Sequence, residues 1–132
     1  MYFLDTHILI WFVNDSSSLS TKAKKVIGDC IKNHHDILIS SISIWEISML
    51  VNKGRLNLTM DIETWLAHLQ KVPNLRFIPV DNEIGYKSTI LPGDFHKDPA
   101  DRMIVASAKK FAVPLITADK EIQKYPHVKT IF

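Results

Sequence analysis

Strand-like apolar runs and helix-length segments alternate along the whole chain, and this alternation limits the fold more than any other feature. Tyr2–Leu4 reads as a strand stopped by Asp5, and His7–Val13 as an apolar helix with Thr6 as its cap. Ser20 or Thr21 caps a helix to about Asn33. Ile37–Ser40 is an apolar, β-branched strand, and Ile42–Asn52 a helix that Gly54 is placed to end. Asp61 caps a helix to about Lys71. Leu75–Val80 is a strand, with Pro79 at its end or on a sheet edge. Asn82–Leu91 is a helix and 92–97 a loop. Asp98 caps a helix over Pro99–Phe111, with Pro99 at the first helical position. Pro114–Thr117 is a short buried strand, Asp119–Lys124 a helical turn, and Lys129–Phe132 a last strand.

Such alternation predicts an α/β fold, a three-layer α/β/α sandwich around a mostly parallel sheet. No repeat or linker divides the 132 residues, so residues 1–132 are expected to form one domain. That length buries roughly two-thirds of the unfolded surface. The formal charge is +2, from 16 basic and 14 acidic residues, too small to mark a nucleic-acid binder. Cys30 stands alone and cannot form an internal disulfide. There is no apolar run of about 18 residues and no basic leader, so a cytoplasmic protein with no membrane association is expected. A phosphate-loop NTPase is excluded, because no Gly-rich loop leads into Lys-Ser/Thr.

In parallel sheets the functional crevice lies beyond the carboxyl ends of the strands. Two strands end there in a Thr/Asp pair: Asp5 with Thr6, and Thr117 with Asp119. Each Asp is also a good helix cap, so capping alone is the plainer account of either. Glu46 is the stronger anomaly. At 100° per residue it falls among Ile42, Met49 and Leu50, on a helix with no clearly polar face. A lone ionised carboxylate there costs several kcal/mol, so it needs a cation, a hydrogen-bond network or a raised pKa. Asp101 sits in the first turn after Asp98, where the helix dipole favours an acid. From that turn it projects toward the same crevice.

The candidates are therefore Asp5, Glu46, Asp101 and Asp119, with Asp98 as a fifth. Several carboxylates in one crevice repel unless neutralised. An oxygen-only donor set selects hard cations such as Mg²⁺ or Mn²⁺. Carboxylate-bound ions of this kind serve phosphodiester hydrolysis by activating water and stabilising the charged transition state. The chemistry points to a metal-dependent nuclease or phosphohydrolase. Two divalent ions add four charges to the formal +2, so the loaded crevice attracts a polyanion that the empty one repels.

The same residues carry a family pattern. Leu4-Asp5-Thr6-His7, Ser43-Ile44-Trp45-Glu46-Ile47, 96–102 (His-Lys-Asp-Pro-Ala-Asp-Arg) and Ile116-Thr117-Ala118-Asp119 stand in the order seen in PIN-domain nucleases. The chain resembles the VapC-type toxins of type II toxin–antitoxin pairs over essentially its whole length. The resemblance implies a magnesium-dependent ribonuclease, a homodimer, and inhibition by a small antitoxin protein. It implies that Asp5, Glu46, Asp101 and Asp119 are the catalytic, metal-binding quartet, with Asp98 a weaker metal candidate and Thr6 and Thr117 hydroxyls beside them.

Among the cations and histidines, Lys97, Arg102 and His96 are candidates for the RNA phosphates, with Lys109 and Lys110 flanking. Arg102 is equally placed to pair with Asp98. Apolar surface at Ile8, Trp11 and Phe12 is a candidate face for a second copy or an antitoxin segment. The rival from another class is a non-catalytic protein- or RNA-binding module, in which the acids are structural caps. A phosphoacceptor domain fits less well, because Asp5 is followed by Thr6-His7 rather than a second acid.

Overall fold

The computed structural model describes residues 1–132. Five short strands, β1 (Tyr2–Leu4), β2 (Ile37–Ser40), β3 (Leu75–Ile78), β4 (Leu115–Ile116) and β5 (Thr130–Ile131), form one sheet in the order β3-β2-β1-β4-β5. Every neighbouring pair is parallel. Leu4 lies opposite Ile39 on one side and Ile116 on the other. Parallel strands need crossovers. These contain α1 (Thr6–Val13), α2 (Thr21–Lys32), α3 (Ser41–Asn52), α4 (Ile62–Leu69), α5 (Asn82–Lys87), α6 (Pro99–Phe111) and α7 (Lys120–Lys124).

Side chains alternate across each strand, and the core divides accordingly. Leu4, Ile37, Ile39 and Ile116 face α1–α4, meeting Ile8, Leu9, Ile27, Ile47 and Trp65. Phe3, Leu38 and Leu115 face α5–α7, meeting Ile84, Ile104, Val105 and Ile122. Helices on both faces make the expected three layers, with a wholly parallel sheet between them. Each fully buried Leu, Ile or Phe contributes roughly 1.5–3 kcal/mol of transfer free energy.

The strand order places the site. The chain builds β1, β2 and β3 outward in one direction, then returns to add β4 on the other side of β1. The switch point therefore lies between β1 and β4, where crossovers leave in opposite directions and a crevice opens at the carboxyl ends. Asp5 follows β1, and Thr117 follows β4.

Several element ends differ from expectation. The cap of α1 is Asp5, not Thr6: Asp5 Oδ1 accepts the Thr6 N–H at 2.8 Å. Thr6 is the first helical residue because its hydroxyl is committed elsewhere. The helix expected to reach Leu91 ends at Lys87. Ser88 and Thr89 turn their hydroxyls onto the Gly85 and Tyr86 carbonyls, at 2.7 and 2.6 Å, and compete with helix continuation. The Asp61-capped helix stops at Leu69 rather than Lys71, tightening into i→i+3 bonds to His68 and Leu69. β3 stops before Pro79, and β4 and β5 are two-residue strands. Gly54 takes φ +69° just beyond α3, which explains a glycine there.

Ile8 is wholly buried, while Trp11 and Phe12 pack partly buried against the core. The apolar face expected at the start of the chain is thus largely used internally. No helix is long and apolar enough to cross a membrane.

Candidate active site

β1 delivers Asp5 to the crevice almost completely buried, 2% exposed. Both its oxygens are engaged. Oδ1 takes the Thr6 N–H, and Oδ2 takes the Thr117 hydroxyl at 2.6 Å. Carboxylate oxygens each have two lone pairs, so one on each remains for a further partner. Thr117 accepts the Asp119 N–H at 3.1 Å, which folds the 117–119 turn back over β4.

Glu46 reaches the crevice from the second turn of α3. Its Oε1 accepts the Thr6 hydroxyl at 2.6 Å. That hydroxyl has one proton, so the 2.8 Å contact with Ser43 is a donation from Ser43 to Thr6. The network required of a carboxylate on this apolar helix is therefore present. Burial still pushes the Glu46 carboxyl above its usual range, against the lowering Thr6 bond, and the charges of Asp5 and Asp98 add to the rise.

Asp98, Asp101 and Asp119 enter from helix N-termini. Asp98 caps α6 with Oδ1 on the Asp101 N–H at 3.0 Å. Asp119 caps α7 with Oδ1 on the N–H groups of Glu121 and Ile122, at 2.8 and 3.2 Å. The capping account is correct for Asp5, Asp98 and Asp119, yet at Asp98 and Asp119 it occupies one oxygen and leaves the other for the crevice. Asp101 is pushed up to about 8, first by burial and then by the charges of Asp5, Asp98, Asp119 and Glu46. None of these five acids forms an ion pair with a lysine or arginine.

The sequence did not place a histidine among the acids with any firmness. His96 is nevertheless there, its Nε2 3.3 Å from Asp101 Oδ2. That nitrogen is buried and has no hydrogen bond of good geometry. One atom each from His96, Asp101 and Asp119 lie within 4.8 Å of one another. The donor set, mostly carboxylate oxygen with one imidazole at the edge, suits a hard divalent cation.

Arg102 is placed differently from expectation. Its Nε donates to the Ser88 carbonyl at 2.7 Å, and its Nη1 to the carbonyls of Phe95 and His96, at 3.1 and 3.3 Å. It does not pair with Asp98; it fastens the loop that carries His96. Lys97 is exposed at the start of that loop's return. Lys109 and Lys110 do not flank the acids. They lie in the last turn of α6, roughly 12 Å along the axis from Asp101. There Lys110 meets Asp81 at 2.6 Å and Lys109 the His127 carbonyl at 3.0 Å.

Beside Glu46 and Asp98 runs an apolar groove of about 370 Å³, lined by Ile42, Trp45, Met49, Pro99 and Met103. Trp45 is 56% exposed. Sequence periodicity found no solvent face on α3 because the exposed side is itself apolar. Ser43 was not among the candidates, since only the fold shows it beneath Thr6.

A PIN domain family model matches residues 2–128. The ribonuclease VapC22 of Mycobacterium tuberculosis is 26% identical over 97% of this chain and 94% of its own length. Among solved structures, VapBC2 from Rickettsia felis, bound to a promoter DNA fragment, superposes with a TM-score of 0.72 at 18% identity, covering 98% of this chain and 96% of that one. VapC20 of M. tuberculosis, described as a sarcin–ricin loop cleaving toxin, gives 0.66 at 13%, covering 98% and 99%.

Proposed function

The chain belongs to the PIN domain family, and from that premise we propose that it is a Mg²⁺-dependent endoribonuclease, the toxin of a type II toxin–antitoxin pair. Mn²⁺ is the alternative ion. One observation carries the metal reading: five carboxylates gather with no lysine or arginine paired to them, and Asp101 is pushed up to about 8, first by its burial and then by the charges of the other four. Asp5, Glu46, Asp101 and Asp119 would hold the ion or ions, with Asp98 at the edge. When bound, the metal supplies activated water and neutralises charge at the phosphate.

The chain's own groups do the rest. Thr117 and Thr6 each hold one carboxylate oxygen, of Asp5 and of Glu46, by a hydrogen bond. Asp5, 2% exposed, is itself shielded from bulk water. His96 and Lys97 stand at the rim, where a phosphate would arrive. Arg102 serves the substrate indirectly, by holding the loop that carries His96.

An antitoxin partner is supported by the neighbouring solved structure, which is a VapBC complex. A homodimer is supported by the apolar groove at Trp45, an aromatic that the chain itself leaves 56% exposed. The test is cleavage of an RNA substrate by purified protein in Mg²⁺, with and without excess EDTA, beside Asp5→Asn. Cleavage that survives EDTA, or an Asn variant as active as the wild type, would remove the proposal.

A further inference from the structure

His7 occupies a place in the crevice that the acids alone do not explain. It sits in the first turn of α1, two residues after Asp5. Its Nε2 accepts the backbone N–H of Ala118 at 3.0 Å, a bond that spans 111 residues of sequence. An imidazole that accepts at Nε2 carries its proton on Nδ1. Nδ1 faces Asp5 Oδ2 at 3.7 Å, so the ring turns its N–H edge toward the buried carboxylate.

Ala118 is the middle residue of the turn that presents both Thr117 and Asp119. The amides on either side have other partners: Thr117 N–H goes to Ile131 O, and Asp119 N–H to the Thr117 hydroxyl. Without His7 the Ala118 N–H has no acceptor, and an orphaned donor here costs about 1–3 kcal/mol. Gln123 holds the far side of the turn, donating to the Thr117 carbonyl at 2.9 Å. Trp11 lies against the imidazole, ring centroids 5.0 Å apart, and Phe132 lies behind Trp11. The ring is thus held from behind and bonded in front.

We propose that His7 is a positioning residue for the metal centre. It ties the Thr117–Asp119 turn to α1, so that Thr117 reaches Asp5 and Asp119 stands beside it. This role rests on the reading of the acids as a metal centre. It requires an acceptor at the Nε2 position, which glutamine supplies and phenylalanine does not. Asparagine is polar but too short to reach Ala118.

Mn²⁺ binding to the whole protein, followed by loss of the free-ion electron paramagnetic resonance signal, separates these variants without any RNA. Wild type and His7→Gln are expected to bind alike. His7→Phe and His7→Asn are expected to bind roughly 10–100-fold more weakly, the range for a lost outer-shell partner. Equal affinity in either folded variant overturns the role. If the wild type itself takes up no Mn²⁺, the metal reading falls instead. The hydrogen bond is then judged by ¹⁵N resonances of the imidazole: an unprotonated Nε2 coupled to the Ala118 amide upholds it, and a protonated Nε2 overturns it.

Discussion

Thr117 and Asp5 are joined by a 2.6 Å hydrogen bond across 112 residues, and the bond's direction is fixed. Thr117 has a single hydroxyl proton and gives it to Asp5, while its oxygen receives the Asp119 N–H. One side chain thereby sets the spacing of two acids that come from different strands.

Thr117→Val keeps the shape and removes both bonds. It leaves a buried carboxylate oxygen and an amide unpaired, with an expected loss of about 1–3 kcal/mol in stability. RNA cleavage should fall by roughly 10–100-fold, as for other outer-shell partners of a metal ligand. Thr117→Ser, which retains the hydroxyl, should recover most of both. Chemical denaturation and a cleavage assay on the three proteins decide this, and a Val variant equal to Ser in both would refute it.

Asp101 gives the metal-free protein an inverted response to pH. Its carboxyl holds a proton up to about pH 8 when folded, against a reference value of 3.8. Between those values the folded state binds more protons than the unfolded, so this group makes stability fall as pH rises, levelling above 8. Asp101→Asn removes the contribution. Its Tm without metal should exceed that of the wild type at pH 8, and the gap should close toward pH 4. Parallel Tm profiles for the two proteins would count against the raised carboxyl.

The same proton must leave before Asp101 can hold a cation. Metal affinity should therefore rise with pH and flatten near 8, by up to about tenfold per unit below that point. Mn²⁺ titrations at pH 6, 7 and 8 read this directly. Affinity independent of pH across that range would mean Asp101 is already ionised, or is not a ligand.

Arg102 and Lys97 are both candidates for the RNA phosphates, and their surroundings differ. Arg102 gives its Nε and Nη1 donors to three loop carbonyls, while Lys97 is exposed and makes no ion pair. Arg102→Gln should lower Tm and loosen His96 while leaving the salt dependence of RNA binding unchanged. Lys97→Gln should leave Tm alone and reduce the salt slope by about one phosphate contact. Exchanged outcomes would return Arg102 to the substrate.

The acids were legible in the sequence because strand ends and helix caps are local signals, and the parallel-sheet rule assembles such ends at one edge. Glu46 was legible for a different reason, as a charge with no polar face around it. The partners that tune these groups were not. Ser43 beneath Thr6, His7 beneath Ala118 and Arg102 around the 88–96 loop act at separations that no periodicity reports. Helix ends depart from their local signals where side chains intervene: Thr6 gives its hydroxyl to Glu46 instead of capping, and Ser88 and Thr89 bond back to their own helix.

The groove at Trp45 makes the final prediction. An aromatic 56% exposed, with Ile42, Met49 and Met103 around it, leaves apolar area in water that a second copy can cover. A specific interface takes about 800 Å² from each partner, and aromatics near its centre contribute most of the affinity. Trp45→Glu places a charge there and, because the side chain is exposed in one chain, should not lower the monomer's own stability by more than about 0.5 kcal/mol. Sedimentation equilibrium should find the wild type dimeric at micromolar concentration and the variant monomeric, with the same circular dichroism. Because Glu46 and Asp98 border this groove, a dimer formed here sets two acidic crevices side by side. A wild type that sediments as a monomer removes the dimer, and a dimeric Trp45→Glu moves it to another face.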